Sequence, residues 1–307
     1  MLVFLLTKEA AYTIDPYIEY WSPEFRDVFR VRTYESLPRS GFLDPGTYIF
    51  ADQERWTPRG RRLAIELWDQ FEQAGPAFVP LNNPRRVLLR FELLRALHST
   101  GQNRFNVYRP LEALRHARFP VFIHSIDGHE GSLTPLLPHR RALILSLLRR
   151  MRPRNWDKLI VEEFCDVSTS KGIYAKYGAF CFAGAIVPRQ IFHGKNWMLK
   201  KTEFFGPDEA AHCESYVRDN PDEKKLRVIF EFAGIDFGRI DYAFHDGRLQ
   251  VWEINTNPVI MGSPDRFQPL EIQTNHLFND LARPHFKRLS ELHESGSPMS
   301  YKLSGTF

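Results

Sequence analysis

The sequence has few cysteines and no long apolar run. Its 307 residues include three cysteines, Cys165, Cys181 and Cys213, and no CxxC pair. This excludes a disulfide-stapled scaffold and predicts buried, reduced thiols in a cytoplasmic protein. The apolar run from Leu2 to Leu6 is too short to cross a bilayer or to form the core of a signal peptide. We therefore expect a buried strand there and no membrane partner.

Several common enzyme motifs are also missing. The sequence has no GxxxxGK[ST] phosphate loop, no HExxH zinc pair and no GxSxG nucleophile elbow. These absences exclude P-loop NTPases, HExxH zinc proteases and α/β-hydrolases. Lysine is absent between Lys8 and Lys158, although arginine is abundant there. An ATP site in that half of the chain would therefore lack its usual lysines.

The composition provides enough apolar residues for a large core. Hydrophobic residues make up 43% of the chain and aromatic residues 14%, which at this length predicts two or three packed units. The 41 basic residues nearly balance the 37 acidic ones, and a net charge of +4 is too mild for the basic stripe of a nucleic-acid-binding protein. We therefore exclude nucleic acid as a partner.

Helix and strand patterns alternate in the first half of the chain, and strands dominate between residues 158 and 255. We predict strands at 2–6, 47–50, 119–125, 159–164, 174–185 and 186–192. We predict helices at 58–75 after a Thr57 cap, 84–101 after an Asn83 cap, 136–151, 221–234 and 274–296. This mixture predicts a protein of the α/β and α+β classes.

The most informative segment is residues 238–258, GRIDYAFHDGRLQVWEINTNP, which reads as a hairpin with a turn at Asp246-Gly247. A two-residue turn would pair Asp241 with Trp252, whereas a three-residue loop at 246–248 pairs Asp241 with Glu253. The second register places Arg239, Asp241, Ala243, Leu249, Val251, Glu253 and Asn255 on one face, and Ile240, Tyr242, Phe244, Gln250, Trp252 and Ile254 on the other. It separates polar from apolar residues better, so we predict the three-residue loop.

This register gathers two carboxylates, a carboxamide and Arg239 at one end of the hairpin. Oxygen ligands of this kind suit magnesium, which takes phosphate oxygens as further ligands. Arg239, two residues before Asp241, can add positive charge to the same phosphate region. A surface salt bridge is the alternative interpretation, but the matched residues on both strands favour a metal site.

The pattern RIDYAF…VWEINTNP resembles the C-terminal metal-binding motif of the ATP-grasp superfamily, which includes D-alanine–D-alanine ligase, glutathione synthetase and biotin carboxylase. The resemblance extends over residues 81–307. It implies an ATP-grasp fold, with an N-terminal α/β domain at 1–80, a first lobe at 81–165 and a second lobe with the metal-binding hairpin at 166–307. ATP would lie between the two lobes.

The resemblance also implies roles for individual residues. Asp241, Glu253 and Asn255 match the magnesium ligands, and Arg239 matches the arginine that contacts the transferring phosphate or the acyl intermediate. In the hinge strand LIVEEF, Glu162 would accept a hydrogen bond from the adenine amino group, and the backbone at Glu163 and Cys165 would bind the adenine edge. Asp166 is a candidate ribose ligand, Lys176 a candidate phosphate ligand, and Gly178 occupies a position that is often arginine.

The sequence departs from the family where phosphate-binding lysines are expected. The corresponding residues are Arg90 and His124, which could contact phosphate with a different geometry or with partial charge, or could be purely structural. The loop at 127–132, DGHEGS, could still cover the phosphates with backbone N–H groups.

The resemblance implies an ATP- and magnesium-dependent ligase. Such an enzyme activates a carboxylate as an acyl phosphate, joins it to an amine or another nucleophile, and releases ADP and phosphate. Two magnesium ions are expected, with manganese as a substitute, and the substrates would be small molecules or peptides. Two alternatives stay open, an ATP-grasp kinase and a nucleotide-binding protein without turnover. The sequence leaves the oligomeric state open, with a homodimer among the possibilities.

Overall fold

The computed structural model describes residues 1–126, 128, 131–150 and 156–307. The strands in these ranges are β1 (Leu2–Leu6), β2 (Phe29–Thr33), β3 (Ser40–Leu43), β4 (Gly46–Phe50), β5 (Phe78–Leu81), β6 (Val107–Tyr108), β7 (Val121–Ser125), β8 (Leu159–Glu163), β9 (Tyr174–Phe182), β10 (Ala185–Gly194), β11 (Phe237–His245), β12 (Arg248–Asn255) and β13 (Met299–Lys302). The helices are α1 (Asp15–Tyr20), α2 (Pro58–Ala74), α3 (Arg90–Ser99), α4 (Pro110–His116), α5 (Arg140–Arg150), α6 (Pro207–Asp219), α7 (Glu223–Ala233) and α8 (Pro269–Ser290). None of the described helices is both long enough and apolar enough to cross a membrane.

The N-terminal part forms a parallel sheet in the order β2-β1-β4-β5. Parallel sheets are usually covered on both faces, and β1 is accordingly buried along its whole length. Val3 and Leu5 of β1 join the apolar cluster of α2 on one face. Leu2, Phe4 and Leu6 join the cluster on the other face, which continues into the C-terminal half of the chain.

Two antiparallel sheets follow along the chain. The three-stranded sheet has the order β6-β8-β7, and α4 and α5 pack against it. The four-stranded sheet has the order β10-β9-β11-β12, with α6 and α7 on one face and α8 over part of the other. Phe286 of α8 lies 4.8 Å from the Phe182 ring of the four-stranded sheet and 5.2 Å from the Phe29 ring of the parallel sheet. Helix α8 therefore joins these two sheets in one core.

Local signals predicted some element ends well and others poorly. Helix α2 begins and ends as expected, and the Thr57 hydroxyl accepts the predicted capping hydrogen bond from the Gly60 amide. The helix predicted after Asn83 begins only at Arg90, because the Leu88 amide donates to the Ala233 carbonyl instead of to a helical partner. Strand β2 and helix α6 were not predicted. Met151, predicted as the end of a helix, lies outside the described residues.

Two buried contacts fasten the hairpin of β11 and β12 to the parallel sheet. Asn82, which follows β5 with φ of 65°, donates from Nδ2 to the Phe237 carbonyl at 2.8 Å, and its Oδ1 accepts from the amides of Asp236 and Phe237 at 2.8 and 2.9 Å. At the same end of the hairpin, Glu54 accepts from the amide and the hydroxyl of Thr256, which follows the last residue of β12, each at 2.7 Å. The open end of the hairpin, where β11 begins and β12 ends, is therefore held by residues of the N-terminal part.

We predict that Asn82→Ala lowers the free energy of unfolding by about 3–5 kcal/mol, because it leaves several buried backbone groups without partners and places alanine at a left-handed backbone position. Urea denaturation followed by circular dichroism measures this change. Asn83→Ala is the matched control and should cost about 1 kcal/mol or less, because the Asn83 side chain accepts a hydrogen bond from the exposed Arg85 amide. Equal losses in the two variants would contradict the role given to Asn82.

Candidate active site

The hairpin of β11 and β12 has the predicted pairing of Asp241 with Glu253 but a different turn. Its turn has two residues, Asp246 and Gly247, both with positive φ, and His245 pairs with Arg248. The predicted three-residue loop was therefore wrong. The pairing of Asp241 with Glu253 is nevertheless confirmed, because the register shifts by one residue between Asp241 and Tyr242. The extra residue in β12 is Trp252, which forms a β-bulge.

The bulge also changes which side chains share a face. Val251 pairs with Tyr242, and Leu249 pairs with Phe244, so both belong to the apolar core face. Trp252 instead lines the cleft described below, and its ring lies 4.7 Å from that of Phe105. The predicted faces of Leu249, Val251, Gln250 and Trp252 were therefore wrong. The reason is that a bulge sets two residues against one and inverts the alternation beyond it.

A cleft with a volume of about 290 Å³ lies between the three-stranded and the four-stranded antiparallel sheets. It collects most of the predicted site residues, namely Arg90, His124, Glu162, Cys165, Lys176, Arg239, Asp241, Glu253 and Asn255. Their convergence from distant parts of the chain makes this cleft the candidate active site.

Asp241 is a buried carboxylate held between two cations. Lys176 Nζ lies 2.9 Å from its Oδ2, and Arg239 Nε lies 3.0 Å from its Oδ1. Burial alone would raise the pKa of Asp241, but the charges of Arg239 and Lys176 and their hydrogen bonds hold it at about 2. The side chain therefore keeps its negative charge at neutral pH.

Glu253, opposite Asp241 on β12, forms an ion pair with Arg90 at the start of α3. Arg90 Nη1 lies 2.8 Å from His124 Nδ1 and donates to the carbonyls of Ser125 at 3.2 Å and Gly128 at 3.1 Å. Arg90 thus connects the carboxylate wall of the cleft to the end of β7. Its cationic group lies at the same end of the cleft as Lys176 and Arg239, so this end can attract an anion.

The two adjacent glutamates of β8 point in opposite directions. Glu162 faces the cleft, and burial raises its pKa to about 8 although the charge of Arg90 opposes this shift. The carboxyl group is therefore mostly protonated at neutral pH and can both donate and accept a hydrogen bond.

Glu163 and Asp166 lie outside the cleft and line a second cavity behind it. The Glu163 carboxylate is bound by the Arg118 side chain and amide and by the Tyr108 hydroxyl. The Glu163 amide already donates to the Asn106 carbonyl at 3.0 Å, so this N–H is not available to a base edge. Asp166 accepts from the Ser168 amide at 2.9 Å, and its carboxylate is not among the groups that line the cleft.

The segment after β10 supplies cleft residues that were not among the predicted ATP-site residues. Trp197 packs against Phe122 of β7 at 4.9 Å and against Phe164 at 5.7 Å. The Lys200 side chain reaches Gly131 on the opposite wall of the cleft. The two are so close that a Cβ on Gly131 would lie only 2.7 Å from Lys200 Cε. These residues form one apolar and cationic border of the cleft. They belong to a loop without periodicity, so the only sequence signal was the presence of an aromatic side chain.

Solved structures resemble most of the chain, although no family model matches it and no curated protein sequence matches it significantly. The structure of D-cycloserine synthetase DcsG is 16% identical, with 93% of this chain and 100% of that chain covered and a TM-score of 0.50. A RimK domain protein ATP-grasp from Sphaerobacter thermophilus DSM 20745 is 13% identical, covering 91% and 98%, with a TM-score of 0.49. D-alanine–D-alanine ligase from Bacillus anthracis complexed with ATP is 12% identical, covering 95% and 99%, with a TM-score of 0.48.

The chain has the fold of the D-cycloserine synthetase structure. The predicted fold is thus confirmed, with two antiparallel sheets facing each other across the cleft and a parallel sheet before them. Arg90 and His124, which the resemblance matched to the phosphate-binding lysines of the family, both line the cleft. The loop at 127–132 was predicted to cover the phosphates with its backbone N–H groups. Its residues Asp127, His129 and Glu130 lie outside the described residues, whereas Gly128 and Gly131 line the cleft.

The oxygen groups at this end of the cleft fit a hard cation. Asp241 and Glu253 are directly opposite each other on adjacent strands, which brings their Cβ atoms to roughly 5 Å, and Asn255 follows two residues later on the same strand. Carboxylate and carboxamide oxygens are the ligands that magnesium prefers. Among the described residues no group of three or more His, Cys, Asp or Glu side chains forms a metal cluster, so phosphate or water oxygens would have to complete the coordination.

We predict that Glu162→Gln removes a pH dependence of stability. Between pH 4.5, the usual pKa of the group, and about 8, the folded protein holds a proton that the unfolded chain has lost. The free energy of unfolding therefore falls as the pH rises through this window, by an amount on the order of 5 kcal/mol. The variant should match the parent near pH 4.5 and exceed it at pH 8 in denaturant unfolding. Glu231→Gln on the exposed face of α7 is the control. An equal effect of both substitutions would contradict the raised pKa of Glu162.

Proposed function

We propose that this protein is an ATP- and magnesium-dependent ligase that activates a carboxylate as an acyl phosphate and joins it to an amine or another nucleophile. The observation that carries the proposal is the pairing of Asp241 with Glu253, beside Asn255 and Arg239, at one end of a cleft whose other wall is the β8 strand with Glu162. Fold likeness to solved ligases agrees with it, and the substrates would be small molecules or peptides.

The nucleotide would lie along the cleft with its base near Glu162, Cys165 and Trp197 and its phosphates near the carboxylates. The apolar rings of Trp197 and Phe122 suit the faces of a base, and the neutral Glu162 carboxyl can pair with a base edge. The phosphates would meet Arg90, Lys176 and Arg239, which are held by Glu253 and Asp241 in this structure. These cations are therefore already placed where phosphate charge would arrive.

Asp241, Glu253 and Asn255 would hold magnesium, which neutralises phosphate charge during phosphoryl transfer. The residues of the chain then act by position and charge. Arg239 and Lys176 stabilise the charge on the oxygens around the transferring phosphorus, and Arg90 can contact the phosphates nearer the base. Exchange of the Arg90–Glu253 pair for contacts to the nucleotide would free the Glu253 carboxylate as a ligand.

The proposed reaction needs no side-chain nucleophile. A carboxylate oxygen of the substrate bonds to the γ-phosphorus while the bond to the ADP oxygen breaks, which gives an acyl phosphate. The amine then bonds to the acyl carbon, phosphate leaves with the electrons of the broken C–O bond, and the nitrogen loses a proton. Both steps need charge stabilisation on the phosphoryl oxygens, which the cations at this end of the cleft can provide.

ADP release measured against a panel of carboxylates and amines tests this proposal. A ligase releases ADP and phosphate only when both substrates are present and yields a condensed product in mass spectrometry. A stable phosphorylated product without free phosphate would select the kinase alternative. Saturable ATP binding without turnover for any pair would select the nucleotide-binding alternative.

We predict that Glu253→Gln abolishes ADP release while the protein stays folded. The substitution removes a charge from the proposed metal site, and Arg90 keeps the carbonyls of Ser125 and Gly128 as acceptors. The loss in kcat should be at least about 100-fold. Asp246→Asn, at the exposed turn of the same hairpin, is the matched control because asparagine tolerates its positive φ. Turnover of Glu253→Gln near the parent rate would contradict the site.

We also predict that ATP raises the melting temperature only in the presence of a divalent cation. Without the cation, the carboxylates of Asp241 and Glu253 would face the phosphates and repel them. Thermal unfolding with a non-hydrolysable ATP analogue, measured with magnesium and with chelator, checks this dependence. An analogue that stabilises the protein equally in both conditions would count against the metal assignment.

A further inference from the structure

A second β-bulge lies in β10 and contains an arginine. The pairing of β10 with β9 shifts between Pro188, opposite Ala179, and Gln190, opposite Gly178, so Arg189 is the extra residue. Bulges commonly redirect a side chain that would otherwise follow the strand alternation. Arg189 is 3% exposed, and its guanidinium lies 4.8 Å from the Phe278 ring of α8.

The bulge directs Arg189 to the face of the sheet that carries the reaction end of the cleft. Phe180 pairs directly with Arg239 across β9 and β11, so these two side chains share a face. The Phe180 ring lies 5.5 Å from Phe278, the same ring that Arg189 covers. Arg189 is therefore on the Arg239 face, beside the phosphate end of the cleft rather than behind the sheet.

The guanidinium of Arg189 has few acceptors for its charge. It donates from Nη1 to Asn275 Oδ1 at 2.7 Å and from Nε to the Ile260 carbonyl at 3.3 Å. Among the described residues no carboxylate lies within ion-pair distance of it, and these two are its only hydrogen-bond acceptors. Burial lowers the pKa of Arg189 to about 10, so the group still carries its charge at neutral pH.

Its neighbour Asn275 adds a second unsatisfied donor. Asn275 is 3% exposed, and its Nδ2 is buried without a hydrogen-bond partner in the part of the chain that the structure describes. A buried amide N–H without an acceptor is costly, and a buried arginine without a counter-ion is costlier. The two donors lie side by side because the amide oxygen of Asn275 accepts from Arg189. A planar anion with two oxygens would satisfy both of them.

The surroundings connect this pair of donors to the reaction. Ile260 belongs to the segment that joins the end of β12, with Asn255, to α8. Gly178, opposite Gln190, lies between that residue and Arg239, since a Cβ there would be in ordinary van der Waals contact with Gln190 Cγ at 3.6 Å and with Arg239 Cδ at 3.8 Å. Arg239 and the bulge of β10 are therefore close neighbours across Gly178.

We propose that Arg189 and Asn275 bind the non-reacting carboxylate of an amino-acid or peptide substrate, next to the centre where the other carboxylate is phosphorylated. This inference rests on the proposed ligase function and names its substrate class. The segment that follows β12 covers the pair, so binding requires this segment to shift. Arg239 serves the transferring phosphoryl group, and Arg189 serves a carboxylate that keeps its charge throughout.

The experiment is calorimetric titration of the full chain with acetate, glycine and alanine, and with glycinamide and alaninamide at matched ionic strength. Saturable binding of the carboxylates and none of the amides is expected. Asn275→Asp, an isosteric change, places a permanent carboxylate beside Arg189 and should weaken carboxylate binding at least tenfold without lowering the melting temperature. Arg189→Met should have the same effect on binding. Arg218→Met, which removes an exposed arginine of α6, is the control.

Two results would overturn the inference. One is the absence of saturable carboxylate binding by the parent protein, and the other is unchanged binding by Asn275→Asp. Binding of the magnesium complex of an ATP analogue, measured in the same samples, separates this inference from the proposed function. ADP release with amides as fast as with free acids would leave the ligase standing without this subsite. Carboxylate binding lost in Asn275→Asp, but without ADP release for any substrate, would leave the subsite standing without the ligase.

Discussion

The candidate active site depends on one inserted residue in a β-strand. Trp252 is the extra residue of β12, and without it the two-residue turn would place Glu253 on the apolar face. With it, Glu253 lies opposite Asp241, and Leu249 and Val251 remain in the core. The displaced indole lines the cleft beside Phe105. The bulge thus keeps a tight turn and an apolar core at one end of the hairpin and a polar face at the other.

Charge compensation is the second constraint on the cleft. The carboxylates of Asp241 and Glu253 are buried or half-buried, and each is matched by a cation from another strand or helix. Such pairs are weak sources of stability, because desolvation cancels much of their attraction. They do keep the side chains ordered and charged in the free protein. The polar end of the cleft is therefore organised before any phosphate arrives, which reduces the reorganisation that a bound nucleotide would require.

The sequence predicted features that arise from local or strictly periodic signals. Helix α2 is bounded by the Thr57 cap, Pro58 and Gly75, and its ends were predicted closely. The pairing of Asp241 with Glu253 was predicted through two errors that cancel, since a longer loop without a bulge gives the same parity as a shorter turn with one. The alternation of side chains alone cannot distinguish a three-residue loop from a two-residue turn followed by a bulge. The faces of the residues between the turn and the bulge were wrong for this reason.

Features that depend on tertiary contacts could not be predicted. The start of α3 was misplaced because the Leu88 amide bonds to Ala233, about 145 residues away in the chain. The bulge at Arg189 has no periodic signature, since a charged residue in a strand can equally be solvent-exposed. Trp197 reaches the cleft from a loop whose path no local pattern specifies.

The contact between Glu54 and Thr256 has a consequence for how this protein can diversify. Thr256 directly follows Asn255, so a residue of the N-terminal part sets the end of the strand that carries the polar face. Asn82 holds the start of the partner strand β11 at the same end of the hairpin. Recombination could exchange the first 80 residues for those of a distant relative. The Glu54 carboxylate and the Thr256 hydroxyl would then have to be conserved together. New substrate preferences are more accessible through point changes around the cleft than through the exchange of whole modules.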